Sequence, residues 1–379
     1  LSTQPSTQPL FNASGLSRRL RASPLLAIGP AEPGPALRRG ALIAVPIGVS
    51  LIVELGFDAP TKGAIATGAL LCGFPGLDAP AGPRGVWQAA AAPLIGLAAA
   101  LGVLSSQSAP AAVLAMALLG AAAGYCFAVS LRLAIVGLSV GLSLVIAQGL
   151  FLAPGDADAA LLYATIGGLT QAAWSLLVWL VADRAARGQE SGWSTAGAIA
   201  ALRSNLSLSS ASARHAIRFG LALAAGVALY RLLDERQHGF WIPLTILFVM
   251  RPERDETHRR LALRALGTVL GLVVATSIAE AFGGEELVIG VVLTVAAALT
   301  FGLLTVQYAL FTAAITTYVV VLSVTLGEGA FDAAGQRAGG TALGMAIAFA
   351  AFLLWPNPWE RGRAQAATPG PSPPEPAAR

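Results

Sequence analysis

Charge is scarce in this sequence. Only 12% of its 379 residues are Asp, Glu, Lys or Arg, where a soluble domain carries about a quarter. Lysine is all but missing: Lys62 stands alone against 23 arginines. The net charge of +4 is small and the arginines lie in stretches that alternate with apolar runs, so the continuous basic face that nucleic acid requires is not present. Cysteine is limited to Cys72 and Cys126, both inside apolar runs, and there is no C-x-x-C. The three histidines, His215, His238 and His258, are far apart. That spacing argues against a metal site. Nucleophile elbow, phosphate loop and paired catalytic carboxylates are likewise missing, so neither an enzyme nor a cofactor is expected.

What is present is apolar. Hydrophobic residues make up 55% of the chain and the mean hydropathy is +0.70. Runs of roughly 20 apolar residues, enough for the ~30 Å of a bilayer's hydrocarbon, recur throughout. The fold class expected is all-α: a polytopic membrane protein of about twelve transmembrane helices arranged as two parallel six-helix repeats. The first six spans are placed near 40–57, 62–77, 87–104, 109–129, 131–153 and 160–182, the second six near 215–233, 238–250, 261–282, 286–303, 305–326 and 335–356. The domains follow: a cytoplasmic tail over 1–39, a degenerate first repeat over 40–182, a cytoplasmic linker over 183–214, a second repeat over 215–356, and a proline-rich tail over 357–379, expected to be disordered. The opening residues, with Arg18, Arg19 and Arg21 and no acid before residue 25, resemble a transit peptide without the apolar core of a secretory signal; a plain tail is preferred.

Charge orients the bundle. Basic clusters occur at Arg18 to Arg39, Arg184 to Arg218, Arg251 to Arg264, and at Arg361 and Arg363. Placing all of them in the cytoplasm requires an even number of crossings between neighbours, and the spans above provide six, two and four. The opposite loops are acidic, with Asp156 and Asp158, Asp234 and Glu235, Glu285 and Glu286, and Glu328 and Asp332. Both termini are expected in the cytoplasm. The same parity makes the short segment around Gly239 to Met250 cross, although it is about a dozen residues long and Pro243 is expected to interrupt it.

The halves align. Pro75 and Asp78 fall against Pro252 and Asp255, Gly167 and Gly168 against Gly339 and Gly340, and Arg38 and Gly40 against Arg218 and Gly220. One pattern stands out in the second half, R-x-x-G-T-x-x-G, found as Arg264, Gly267, Thr268 and Gly271, and again as Arg337, Gly340, Thr341 and Gly344. Spacing of i, i+3, i+4, i+7 puts all four side chains on one helix face. The glycines let a neighbouring helix approach, and an arginine on an inward face calls for an anionic partner. Trp87 and Thr165 take the places of the two arginines in the first half. Because the copies open the ninth and twelfth spans, Arg264 is expected at the cytoplasmic edge and Arg337 at the outer edge.

Residues 213–356 resemble the fusaric acid resistance-like, integral-membrane-bound transporter family. The resemblance is carried by Phe240-Trp241-Ile242-Pro243-Leu244-Thr245, Arg251-Pro252, Thr257, the Arg264 pattern, and Arg337 with Gly340 and Thr341. It implies an inner-membrane permease exporting organic anions, aromatic or other carboxylates. A gated anion channel on the same scaffold and a non-transporting membrane scaffold or assembly partner are the alternatives.

The residues expected along a substrate path are Arg264, Thr268, Arg337, Thr341, Trp241, Pro243 and Tyr308. Gly267, Gly271, Gly340 and Gly344 are expected to serve helix packing. Each path residue has a plainer reading: Arg264 as a snorkelling anchor, Arg337 paired with Asp332 or Glu328, the threonines bonded to their own helices, Trp241 in an interfacial belt, Tyr308 in the core. The glycines of the second span, Gly63, Gly68 and Gly73, with Pro75, are expected to face Pro243. Glu54 and Glu280, near outer span ends, are weak candidates for proton coupling. The partners implied are the lipid bilayer and a small organic anion; a homo-oligomer is compatible with this reading.

Overall fold

The computed structural model describes residues 32–56, 63–149, 156–182, 195–205, 207, 210–233, 239–282, 285–325 and 327–354. Most of both tails, residues 183–194 of the linker, Lys62, Asp234, Glu235 and His238 lie outside the described residues. Among those described, every regular element is helical. The first half contributes α1 (Pro33–Gly56), α2 (Ala64–Gly73), α3 (Ala81–Ser106), α4 (Ala109–Tyr125), α5 (Leu131–Gly149) and α6 (Ala157–Val181). A linker helix α7 (Thr195–Ser204) precedes the second half: α8 (Ala211–Leu232), α9 (Trp241–Val249), α10 (Arg254–Phe282), α11 (Glu286–Leu303), α12 (Tyr308–Thr325) and α13 (Ala330–Leu354).

Eight of these helices are long and apolar enough to cross a bilayer. The chain is therefore a polytopic helical membrane protein. Its surface and interior are arranged accordingly: Leu97, Leu104, Leu118, Val269, Val273 and Leu287 point outward and are more than half exposed, whereas the largest fully buried side chains are Arg264 and Arg337. Two helices are much shorter than the hydrocarbon layer. At 1.5 Å per residue α2 rises about 15 Å and α9 about 14 Å. The helices α8 and α13 are long enough to span but carry His215, Arg218 and Arg231, and Asp332 and Arg337, respectively.

Local chemistry explains several boundaries. Ser108 and Ser210 cap α4 and α8 by accepting the amides of Ala111 and Ala213 at 3.2 and 3.0 Å. Pro46 lies inside α1 and has no N–H to offer the carbonyl of Leu42. The indole of Trp174 on α6 donates to that carbonyl instead, at 2.7 Å. Pro243, by contrast, sits in the first turn of α9, where a helix has no use for an amide hydrogen. It starts the short helix and does not interrupt it, which corrects the sequence expectation.

Glycine faces set the packing. On α3, Gly82, Gly85 and Gly96 lie against Trp179, Leu176 and Thr165 of α6, and Gly168 returns the contact on Ala92. On α10, Gly267 and Gly271 lie against Ala309, Thr312, Ala313 and Thr316 of α12, while Gly340 and Gly344 of α13 lie against Trp241, Ile242 and Thr245 of α9. The two halves also grip each other. The helix α1 packs on α11, with Gly40 against Ala298 and Gly302, and α8 packs on α4, with Gly220 against Ala117 and Ala121. Within the halves α2 meets α6 as α9 meets α13, and α3 meets both α5 and α6 as α10 meets both α12 and α13.

Candidate functional site

The site forms around α9, whose residues from Trp241 to Leu247 are all buried. Arg337, two turns into α13, places its guanidinium carbon 4.3 Å from the centre of the Trp241 ring. Arg264, in the third turn of α10, does the same over Phe248 at 4.9 Å. Trp241 and Phe248 stand at the two ends of the short helix, so the two arginines flank it. The sequence reading put them at opposite membrane edges. Both side chains are fully buried inside the protein.

Neither arginine is satisfied. None of the three guanidinium nitrogens of Arg264 or of Arg337 has a hydrogen-bond partner, and among the described residues neither forms an ion pair. Arg337 is thus not paired with Asp332 or Glu328. Tyr308 lies near Arg264, but its hydroxyl donates to the carbonyl of Phe248 at 3.2 Å, one of the orphan acceptors at the end of α9. Stacking on a ring occupies the face of a guanidinium and leaves its edge of N–H donors open. A buried, uncompensated cation is expensive in a low-dielectric interior, by several kcal/mol or so; an anion at that edge relieves it.

Hydroxyls follow the arginines. The side chains of Thr245, Thr268, Thr312, Thr316 and Thr341 are buried with no partner. Elsewhere in these helices Thr170, Thr276, Thr294 and Thr300 bond back to the carbonyl four residues earlier. Thr268 and Thr341 therefore do not take the local bond that was their plainer reading. Trp241 is 2% exposed, inside the protein.

A cavity lies beyond each end of α9. One is lined by Arg251, Arg260 and Tyr308 together with Phe248, and by Phe74, Phe127 and a row of α5 residues that includes Leu138 and Ser139. Arg260 stacks on Tyr308 at 4.7 Å and bonds Glu256 at 2.7 Å. Arg251, in the turn before α10, donates its amide to Thr257. Burial, and then the charge of Arg260, pull the Arg251 guanidinium down to about 9, so this cavity too holds a cation that an anion would stabilise. The other cavity is lined by Leu233, Gly239, Ile242, Gln336, Gly339, Gly340 and Leu343. The model of the family described as fusaric acid resistance protein-like matches residues 221–351, which contain α9, both stacked arginines and both copies of the glycine pattern.

Over those residues the chain is similar to the fusaric acid resistance protein-like family. The inner membrane protein YccS of Escherichia coli (strain K12) is 38% identical over 152 residues, 40% of this chain and 21% of that protein. The ORF2 protein of Neisseria gonorrhoeae is 32% identical over 158 residues, 41% of this chain and 37% of the relative. A Haemophilus influenzae protein is 32% identical over 145 residues, 38% of this chain and 20% of its own length. The chain thus spans between a fifth and two fifths of these relatives. No solved structure matches it.

The fusaric acid resistance-like half does not build the Tyr308 cavity alone. The wall formed by Phe74, Phe127 and α5 comes from the first half, and nothing in the sequence of α5 beyond a one-sided apolar row announced it. The arginine-bearing positions have no charged counterpart there: α3 and α6 close on each other over Gly82, Gly85, Gly96 and Gly168, with Gln88 and Gln171 fully buried between them. The glycines of α2 do not face Pro243. Gly68 packs on Ala164 and Gly73 on Phe301, and the two short segments meet through Phe74 and Phe248, 6.5 Å apart. Glu54 is no free carboxylate, since its two oxygens accept the amides of Ile65 and Ala66 at 3.1 and 2.9 Å.

Proposed function

We propose that this protein is an inner-membrane permease for organic anions, with the path running alongside α9. The observation that carries this reading is the pair of fully buried, unpartnered arginines stacked at the two ends of α9 with a cavity beyond each. An anion gathered by Arg251 and Arg260 would pass to the edge of Arg264, then to Arg337, then out through the Gln336 cavity. Two middle stations at the two ends of one short helix suit transfer from one to the next, and repulsion between like charges when empty keeps either from holding its anion too tightly.

The full topology belongs to the same proposal. Twelve crossings with both termini in the cytoplasm, arranged as parallel repeats over 40–182 and 215–356, account for the basic clusters and for the matching helix pairings of the halves. That orientation puts the Tyr308 cavity on the cytoplasmic side. The name of the Escherichia coli relative places that protein in the inner membrane, and we take the same location for this chain. A cell interior negative by 100 mV favours the exit of one negative charge by about 2.3 kcal/mol, enough to drive export with no coupled ion.

Voltage-driven efflux of carboxylates from proteoliposomes tests the reading. Wild type is expected to pass at least one carboxylate class, and Arg264→Gln and Arg337→Gln each to lose about tenfold or more of that flux, the worth of one charge-assisted hydrogen bond. Undiminished flux in both variants would overturn it, as would folded wild-type protein that passes no anion in either direction.

A further inference from the structure

We infer that the amino-terminal end of α9, beside Trp241 and Arg337, is a carboxylate-binding site open to the Gln336 cavity, and that Glu54 fills the equivalent place in the first half with a tethered carboxylate. This rests on the anion reading above and gives it a location and a ligand class.

The two short helices occupy matching places. Each follows the long first helix of its half, each is entered through a glycine, Gly63 or Gly239, and each lies on the last helix of its half. Gly167 of α6 abuts the carbonyl of Ile65, and Gly344 of α13 abuts the carbonyl of Ile242. Ile65 and Ile242 stand 177 positions apart, as do Pro75 and Pro252.

At the start of α2 the helix end is neutralised from within. The positive end of a helix favours an anion, and Glu54, 3% exposed, supplies one by accepting the amides of Ile65 and Ala66. At the start of α9 the chemistry is inverted. The amide of Ile242 turns back to the carbonyl of Gly239 at 3.0 Å, and the next residue, Pro243, has no amide hydrogen. In place of a carboxylate stands the Arg337 guanidinium, wholly buried and unbonded, on the ring of the first residue of α9. A positive helix end and a positive side chain therefore meet at one spot with no anion among the described residues to balance them. The Gln336 cavity adjoins this spot: its lining holds Gly239 and Ile242, on either side of Trp241 in the chain, and Gln336 and Gly340, on either side of Arg337.

A carboxylate entering there completes what Glu54 completes in α2. With the amides at 242 and 243 unusable, its hydrogen bonds come from the guanidinium edge, whose parallel donors match a carboxylate's two oxygens and serve a spherical ion poorly. The first half, plugged by its own carboxylate, offers no such place to a solute.

The test is thermal unfolding of the purified full chain titrated with sodium acetate or sodium formate, with sodium chloride as the control. Acetate is expected to raise the wild-type midpoint more than chloride does, and Arg337→Gln to raise the half-saturating acetate concentration about tenfold or more. Glu54→Ala is expected to lower the midpoint and to regain part of the loss with acetate or formate, even when combined with Arg337→Gln. Should Glu54→Ala fail to fold, Glu54→Gln supplies the milder lesion for the same rescue. An acetate response unchanged by Arg337→Gln would overturn the α9 site, and a Glu54 lesion indifferent to both carboxylates would overturn the equivalence. The transport reading fails separately: an Arg337-dependent acetate response without anion flux leaves the site standing, and flux with an Arg337-independent response leaves transport standing.

Discussion

At the level of single residues the molecule places its cations where hydrocarbon would be expected. Arg264 and Arg337 are each held by stacking on an aromatic ring, with no counter-charge bonded. Replacing even a buried ion pair by apolar groups of similar bulk is often neutral or stabilising by about 1–4 kcal/mol in other folds, and an unpaired charge has no ionic attraction to lose. Arg337→Met is therefore expected to raise the unfolding midpoint of the anion-free protein while abolishing efflux, two changes that a lesion in packing would not combine. Trp174→Phe is the converse case. It leaves the Leu42 carbonyl opposite Pro46 without a donor, and should cost about 1 kcal/mol in stability with flux per folded molecule unchanged.

Helices were easier to read from sequence than the residues between them. The apolar runs announced a helix at each of their places because a bilayer leaves a chain few other ways to satisfy its backbone. The start of α9 was misread because proline breaks a helix interior but begins a helix well, and sequence alone did not fix which position Pro243 held. The sequence placed each arginine at the start of an apolar run; what it did not show was that both side chains stack on rings of the short α9. The α13–α9 contact gives this scale its own test. A Cβ at position 340 would strike the Cβ of Trp241, whereas positions 335 and 339 have nothing within 4 Å. Gly340→Ala is expected to displace Trp241 from Arg337 and cut efflux severalfold; Gly335→Ala should leave it within about twofold. Equal effects from the two substitutions in the efflux assay would remove Trp241 from the pathway.

Across the whole molecule the notable relation is the exchange between halves. Each half lays its first helix mainly on the other half: α1 on α11, and α8 on α4. The Tyr308 cavity likewise draws its cations from one half and its apolar wall from the other. The second half expressed alone should therefore be unstable, while the two halves produced as separate chains cut between residues 183 and 194 should co-purify and regain efflux. A second half that is stable and active by itself would contradict the interlocked arrangement.

That exchange also has a consequence in time. The glycine face of α1 leaves the ribosome early, and its partner α11 begins roughly 250 residues later. At ordinary rates of synthesis the wait is roughly 10–50 s. Throughout it, Gly40 and Gly48 must rest against lipid or against the insertion machinery, since the surface made for them does not yet exist. Maturation then includes the seating of α1 against a helix made much later, a contact that closes long after its first partner has been synthesised.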